Sequence, residues 1–231
     1  MARLSRLYAP NLAQLVSAQF APGAARAMQT DAAPTYRLIL DWLGQSAALH
    51  QVKVQGWSLS PTRLVLLMTP ADRVGIPRVI QDLGRRLAGH LKTGTIFDGR
   101  YHSTIPEPGR WVIATLLWLE RAAVREGLVS EPGQWVWCSS RAHTEGTDPH
   151  GPWLQPHHDY WLCGNTPFAR QASYAAQLSQ GNTRQQDEKI ETCLKGQWAL
   201  GSDAFLTELG ELATRRVSPA PRGRPKKGLV S

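Results

Sequence analysis

Gly56-Trp57-Ser58-Leu59-Ser60-Pro61-Thr62-Arg63-Leu64-Val65-Leu66-Leu67-Met68-Thr69-Pro70 reads as two apolar strands joined by a tight turn. Pro61 presets the backbone for turning, and Ser60 and Thr62 can hydrogen-bond their own backbone nearby. The second run, residues 63–69, is too apolar to face water on either side. It is therefore expected to lie centrally in a sheet.

Working outward from that hairpin, residues 14–20 alternate imperfectly and read as a first strand, followed by a Gly/Ala-rich loop. Tyr36, Ile39, Leu40, Leu43 and Ala47 recur at helical spacing over residues 33–49. Residues 52–58 form the first arm of the hairpin. Beyond Pro70, Ile76, Val79, Ile80, Leu83, Leu87 and Leu91 make one helical stripe, with Arg78, Arg85 and Arg86 on the opposite side. Residues 95–103 read as a short strand kinked at Gly99. A long helix is expected over 110–126, and further helices over 166–178, over 185–194 and after Ser202 or Asp203. The order strand–helix–strand–strand–helix–strand implies an α+β fold, a ferredoxin-like split βαβ sheet with a helical C-terminal extension.

Composition narrows the function classes. At 42% hydrophobic and 19% charged residues the chain has an ordinary globular balance. Its longest apolar run, residues 111–119, is too short to span a bilayer, and no signal peptide is recognised at the start, so a cytoplasmic protein is expected. Cys138, Cys163 and Cys193 are odd in number and widely spaced, which suggests reduced thiols. His150, His157, His158 and Cys163 fit no standard zinc spacing. The net charge is +8, and residues 215–231 hold +6 of it with no acid. A basic tail on a nearly balanced body points to a polyanionic partner. Within it Arg222-Gly223-Arg224-Pro225-Lys226-Lys227 resembles an AT-hook core, narrow enough for an A·T minor groove. Three regions are expected: an α+β core over 1–130, a helical extension over 131–214 and a basic tail over 215–231.

Several stretches together resemble the REP-associated tyrosine transposases, single-strand DNA transposases of the HUH class. Ser60-Pro61-Thr62-Arg63-Leu64-Val65-Leu66-Leu67 matches the frame of that family's Met-Pro-Asn-His-hydrophobic-His-Leu-Leu strand. Phe97-Asp98-Gly99-Arg100-Tyr101-His102-Ser103 matches its Gly-Arg-Tyr-x-Ser segment. Trp118 to Val129 matches its Tyr-Ile-x-x-Asn-Pro-Val-Arg-x-Gly-Leu-Val helix, with Val124, Arg125, Gly127, Leu128 and Val129 in register. Trp137-Cys138-Ser139-Ser140-Arg141-Ala142-His143 follows as a relative of Trp-Ser-Ser-Tyr-Arg-Ala-His.

The resemblance implies a bacterial mobile-element protein, nucleoid-associated, with DNA as partner: hairpin, single-stranded or A·T-rich. It leaves a homodimer open. It implies a magnesium or manganese centre held by two histidines at i and i+2, which would share a strand face. Here those positions are Arg63 and Val65, the tyrosine nucleophile is Trp118, and the auxiliary ligand one turn on is Ala122. A guanidinium stays protonated and cannot ligate a metal, and an indole has no nucleophilic oxygen. The expectation is a protein without a metal cofactor that binds DNA but has lost strand cleavage. Its DNA contacts are expected at Arg78, Arg85, Arg86, Arg100, Tyr101, Arg125, Arg222, Arg224, Lys226 and Lys227. Two alternatives stand beside it. One is an active metal-dependent transposase or endonuclease with Tyr101 as displaced nucleophile. The other is a protein-interaction module built on the six tryptophans from Trp111 to Trp161.

Overall fold

A computed structural model describes residues 6–29, 32–213 and 215–219. Strands β1 (Gln14–Gln19), β2 (Val52–Leu59), β3 (Arg63–Pro70) and β4 (His102–Thr104) form one antiparallel sheet in the order β2-β3-β1-β4. Helices α1 (Pro22–Gln29) and α2 (Ala32–Leu49) connect β1 to β2, and α3 (Gly75–Leu91) connects β3 to β4. After β4 come α4 (Val112–Glu120), α5 (Ala122–Arg125), a 3-10 turn at Pro132–Gln134, α6 (Ser140–Thr144) and α7 (His158–Trp161). The chain continues through α8 (Pro167–Gln180), α9 (Arg184–Gly196) and α10 (Asp203–Leu212).

The turn behaves as its residues dictate. Ser60 Oγ accepts from the amides of Thr62 and Arg63, both at 3.3 Å, and the Ser60 amide donates to the Arg63 carbonyl at 3.0 Å. β3 then runs between β2 and β1, as its two-sided apolarity requires. Leu64, Leu66 and Met68 enter a core with α2 and α3, whereas Val65 and Leu67 enter a second core with α4, α8 and α9. Each of these side chains contributes roughly 1.5–3 kcal/mol on burial. The second core draws on both sides of residue 130: Leu116 and Trp118 meet Tyr174, Leu178, Ile190 and Leu194.

Three expectations are corrected. The Gly/Ala-rich stretch after β1 is helix α1, because Pro22 sits at its first position and alanine is the best helix former. Residues 95–103 are not one strand. Phe97 makes an isolated bridge to Phe20, the backbone takes a positive φ of 78° at Gly99, and pairing resumes only at His102. The helix expected over 110–126 breaks at Arg121, whose guanidinium donates to the carbonyls of Leu178 and Ser179, and Gly127 ends it at φ 69°.

A buried polar cluster pins the later helices to α4. Glu120 is fully buried and accepts from Ser139 Oγ at 2.7 Å and from Tyr174 Oη at 2.9 Å. His143 Nδ1 lies 2.6 Å from the same carboxylate, and Tyr160 donates to the His143 carbonyl at 2.7 Å. Burial, and then Glu120 itself, push the Tyr174 phenol well above its usual range, which keeps it a donor. Glu120→Ala strands three partners in an apolar core and is expected to cost about 3–5 kcal/mol in urea denaturation. Tyr174→Phe removes one donor and should cost less, about 1.5–3 kcal/mol.

Trp153 lies over helix α2 at Gly44, where an added Cβ would fall 2.2 Å from the indole. Gly44→Ala is therefore expected to lower stability by about 1–3 kcal/mol. Gly89→Ala, in a part of α3 with nothing within 4 Å, should raise it by about 0.4–1 kcal/mol in the same assay.

Candidate functional site

Residues that pair across an antiparallel sheet share a face, and β1 sets Ser17 opposite both Val65 and His102. Gln19 lies opposite Arg63 in the next row on that face. Above it stand α4 and α9. Between them opens a cleft of about 300 Å³ lined by Ser17, Gln19, Arg63, Asp98, Arg100, His102, Trp118, Glu191, Leu194 and Lys195.

Its inner wall is a cation–aromatic stack. The Arg63 guanidinium lies 5.6 Å from the Trp118 ring centroid and that of Arg125 lies 4.2 Å from it. Both fall within the attractive range of an indole face. Glu126 holds Arg63 in place, accepting from its Nε at 2.7 Å and from Thr62 Oγ1 at 3.0 Å. Arg125 is different, because none of its three guanidinium nitrogens has a hydrogen-bond partner among the described residues. Burial pushes its pKa down to about 10, against the opposing pull of Asp187, Glu191 and Glu126.

The rim is exposed and carries Arg100 and Lys195 beside Asp98, His102 and Glu191. Lys195 Nζ donates to Glu191 at 3.3 Å, an exposed pair that a competing anion can open at little cost. Trp118 itself is 1% exposed, so what the cleft offers a phosphate-bearing ligand is the cationic rim of Arg100 and Lys195.

No protein-family model matches the chain, and no curated protein does. Among solved structures, a REP-associated tyrosine transposase bound to a REP hairpin superposes with a TM-score of 0.55 at 10% identity. The match covers 69% of this chain and 93% of that one. At that identity the likeness is one of fold: a mixed α/β chain with a four-stranded antiparallel sheet.

Of the positions singled out in the sequence, Arg63, Val65 and Trp118 come together on the α4 side of the sheet, and Ala122 is in α5, which follows α4 directly. Val65 and Ala122 are each 1% exposed. A guanidinium and an isopropyl group do not fit the metal implied by the resemblance. Among the described residues no group of three or more His, Cys, Asp or Glu is placed to hold a metal ion. Arg100 reaches the cleft. Arg125 lies beneath Trp118 with its nitrogens covered.

Arg78, Arg85 and Arg86 do not join them, since α3 packs on the opposite face of the sheet. Arg85 pairs with Asp82, and Arg86 donates to Gln45 at 2.7 Å. Tyr101 also points away: it is buried in the α2–α3 core under Arg6, and burial pushes its phenol up to about 12 against Arg6 and Arg100. Arg222, Arg224, Lys226 and Lys227 lie outside the described residues. Five of the six tryptophans from Trp111 to Trp161 are buried or partly buried, and Trp161 alone of them is exposed. No helix of the described residues is long and apolar enough to cross a membrane.

Sequence reading missed Ser17, Gln19, Asp98, Glu191 and Lys195 as cleft residues. Strand parity from Val65 would have found Ser17. Nothing local marks Lys195, which reaches the cleft only because α9 packs against β4 and β1.

Two substitutions separate the two arginines of the stack. Glu126→Ala frees the half-buried Arg63 and is expected to cost about 1–3 kcal/mol by urea denaturation. Arg125→Met gives up no hydrogen bond to the described residues and trades a buried cation for an apolar chain, so stability should be unchanged or higher.

Proposed function

We propose that this chain is a transposase-like DNA-binding protein that holds a hairpin or single-stranded DNA segment in the Arg63–Trp118 cleft and does not cut it. One observation carries the reading. The run 60–67 and the run 118–129, far apart in sequence and each resembling a catalytic motif of the REP-associated transposases, meet at one cleft of a fold like theirs. The motif atoms that would grip a metal and attack a phosphate are replaced there by a guanidinium, an isopropyl group and an indole. What the cleft offers instead is cationic: Arg63, Arg100 and Lys195 line it, the side-chain type used to track a phosphate backbone.

Support for a ferredoxin-like split βαβ plan comes from β3 lying between β1 and β2, antiparallel to both. The proposed organisation is a DNA-binding α+β core over 1–130, braced by helices over 131–214. The basic tail over 215–231 supplies further, sequence-tolerant attraction to A·T-rich duplex.

Fluorescence anisotropy with a labelled DNA hairpin tests the binding. Affinity should fall steeply with salt, and Arg100→Ala or Lys195→Ala should each reduce the slope of log K against log salt by about 1. Incubation with magnesium or manganese should leave no protein–DNA species resistant to denaturing electrophoresis. A covalent adduct would sink the non-cutting part of the reading, and salt-independent or absent hairpin binding would sink the rest.

A further inference from the structure

A second cavity lies away from the Trp118 cleft. It measures about 270 Å³, near the lower end of small-ligand sites at roughly 300 Å³. Arg6, Tyr8, Gln14, Pro70, Arg73 and Tyr101 are among its lining residues. Gln14 begins β1 and Pro70 ends β3, whereas Gln19 and Arg63, at the other ends of the same strands, belong to the cleft.

Three features of this cavity point to a ligand. Gln14 is 4% exposed yet lines the space, which sets a side-chain amide at the cavity wall. The Arg6 guanidinium lies 3.7 Å above the Tyr101 ring centroid, and its buried Nε is also without a partner among them. Arg73 is exposed at the rim. The end of α3 is not itself the attraction, because Asp72 Oδ1 already accepts from the amides of Val74 and Gly75 at 2.9 and 2.7 Å.

We infer that this cavity is a nucleotide site, taking one planar base and its phosphate. The base stacks on the outer face of the Arg6 guanidinium, so that base, cation and Tyr101 form a layered stack. The Gln14 amide, with a donor and an acceptor side by side, reads the edge of the base, as glutamine does with adenine. Arg73 meets the phosphate. The nucleotide belongs either to a DNA strand or to the free pool, and the chemistry of the site is the same for both. The inference does not depend on the Trp118 cleft.

Titration calorimetry of the full chain with dAMP, dCMP, dGMP and TMP, set against inorganic phosphate, tests it. At least one mononucleotide should bind about tenfold more tightly than phosphate, and Arg73→Ala should weaken it about tenfold. Gln14→Leu should level the differences among the four bases. Arg73 is exposed, so its replacement should leave the fold intact, and the test survives if the Gln14 variant does not fold. Displacement of the mononucleotide by hairpin DNA assigns the site to a strand, and coexistence assigns it to the free nucleotide. Mononucleotides no tighter than phosphate, or an unchanged Arg73→Ala variant, would overturn the site. Hairpin binding sensitive to Arg100 and Lys195 would stand regardless.

Discussion

Burial of β3 on both faces is the constraint from which the rest of this molecule follows. Leu64, Leu66 and Met68 demand cover on one side and Val65 and Leu67 on the other. A strand of that composition cannot sit at an edge or face water. Helices α2 and α3 therefore close one side while α4, α8 and α9 close the other. Arg63, the first residue of the strand, is left where cover gives way to solvent. The cleft exists at that boundary.

What fills the boundary is a packing unit. Trp118 presents its ring to two guanidiniums, one held by Glu126 and one without hydrogen-bond partners among the described residues. An unpaired buried cation is costly unless aromatic faces and nearby acids offset it. Asp187, Glu191 and Glu126 supply the second part here.

Some of this was legible from residues alone. The hairpin at Ser60–Arg63, the central place of β3 and the stripe of α3 follow from turn chemistry and periodicity. So did the pairing of the 60–67 run with the 118–129 run, through family resemblance. Helix α1 was missed because Gly23 and three alanines look like a loop when propensity is read without Pro22 as a starting residue. The two arginine partners of Trp118 were not foreseen as a stack. Glu120 went unnoticed, because a lone acid in an apolar helix acquires meaning only when Ser139, His143 and Tyr174 converge on it.

By itself the sequence determined which segments bury and with what period, since hydrophobic alternation and helical spacing are local properties of the chain. It also determined which chemistry the family-like positions lack, because side-chain identity alone says that arginine, valine and tryptophan neither ligate a metal nor attack a phosphate. Only the tertiary structure decided which charges share a surface. Arg85 and Arg100 look equivalent in a linear chain, yet one lies across the sheet from the cleft and the other on its rim. That separation depends on which face of the sheet each helix covers, and no local pattern encodes it.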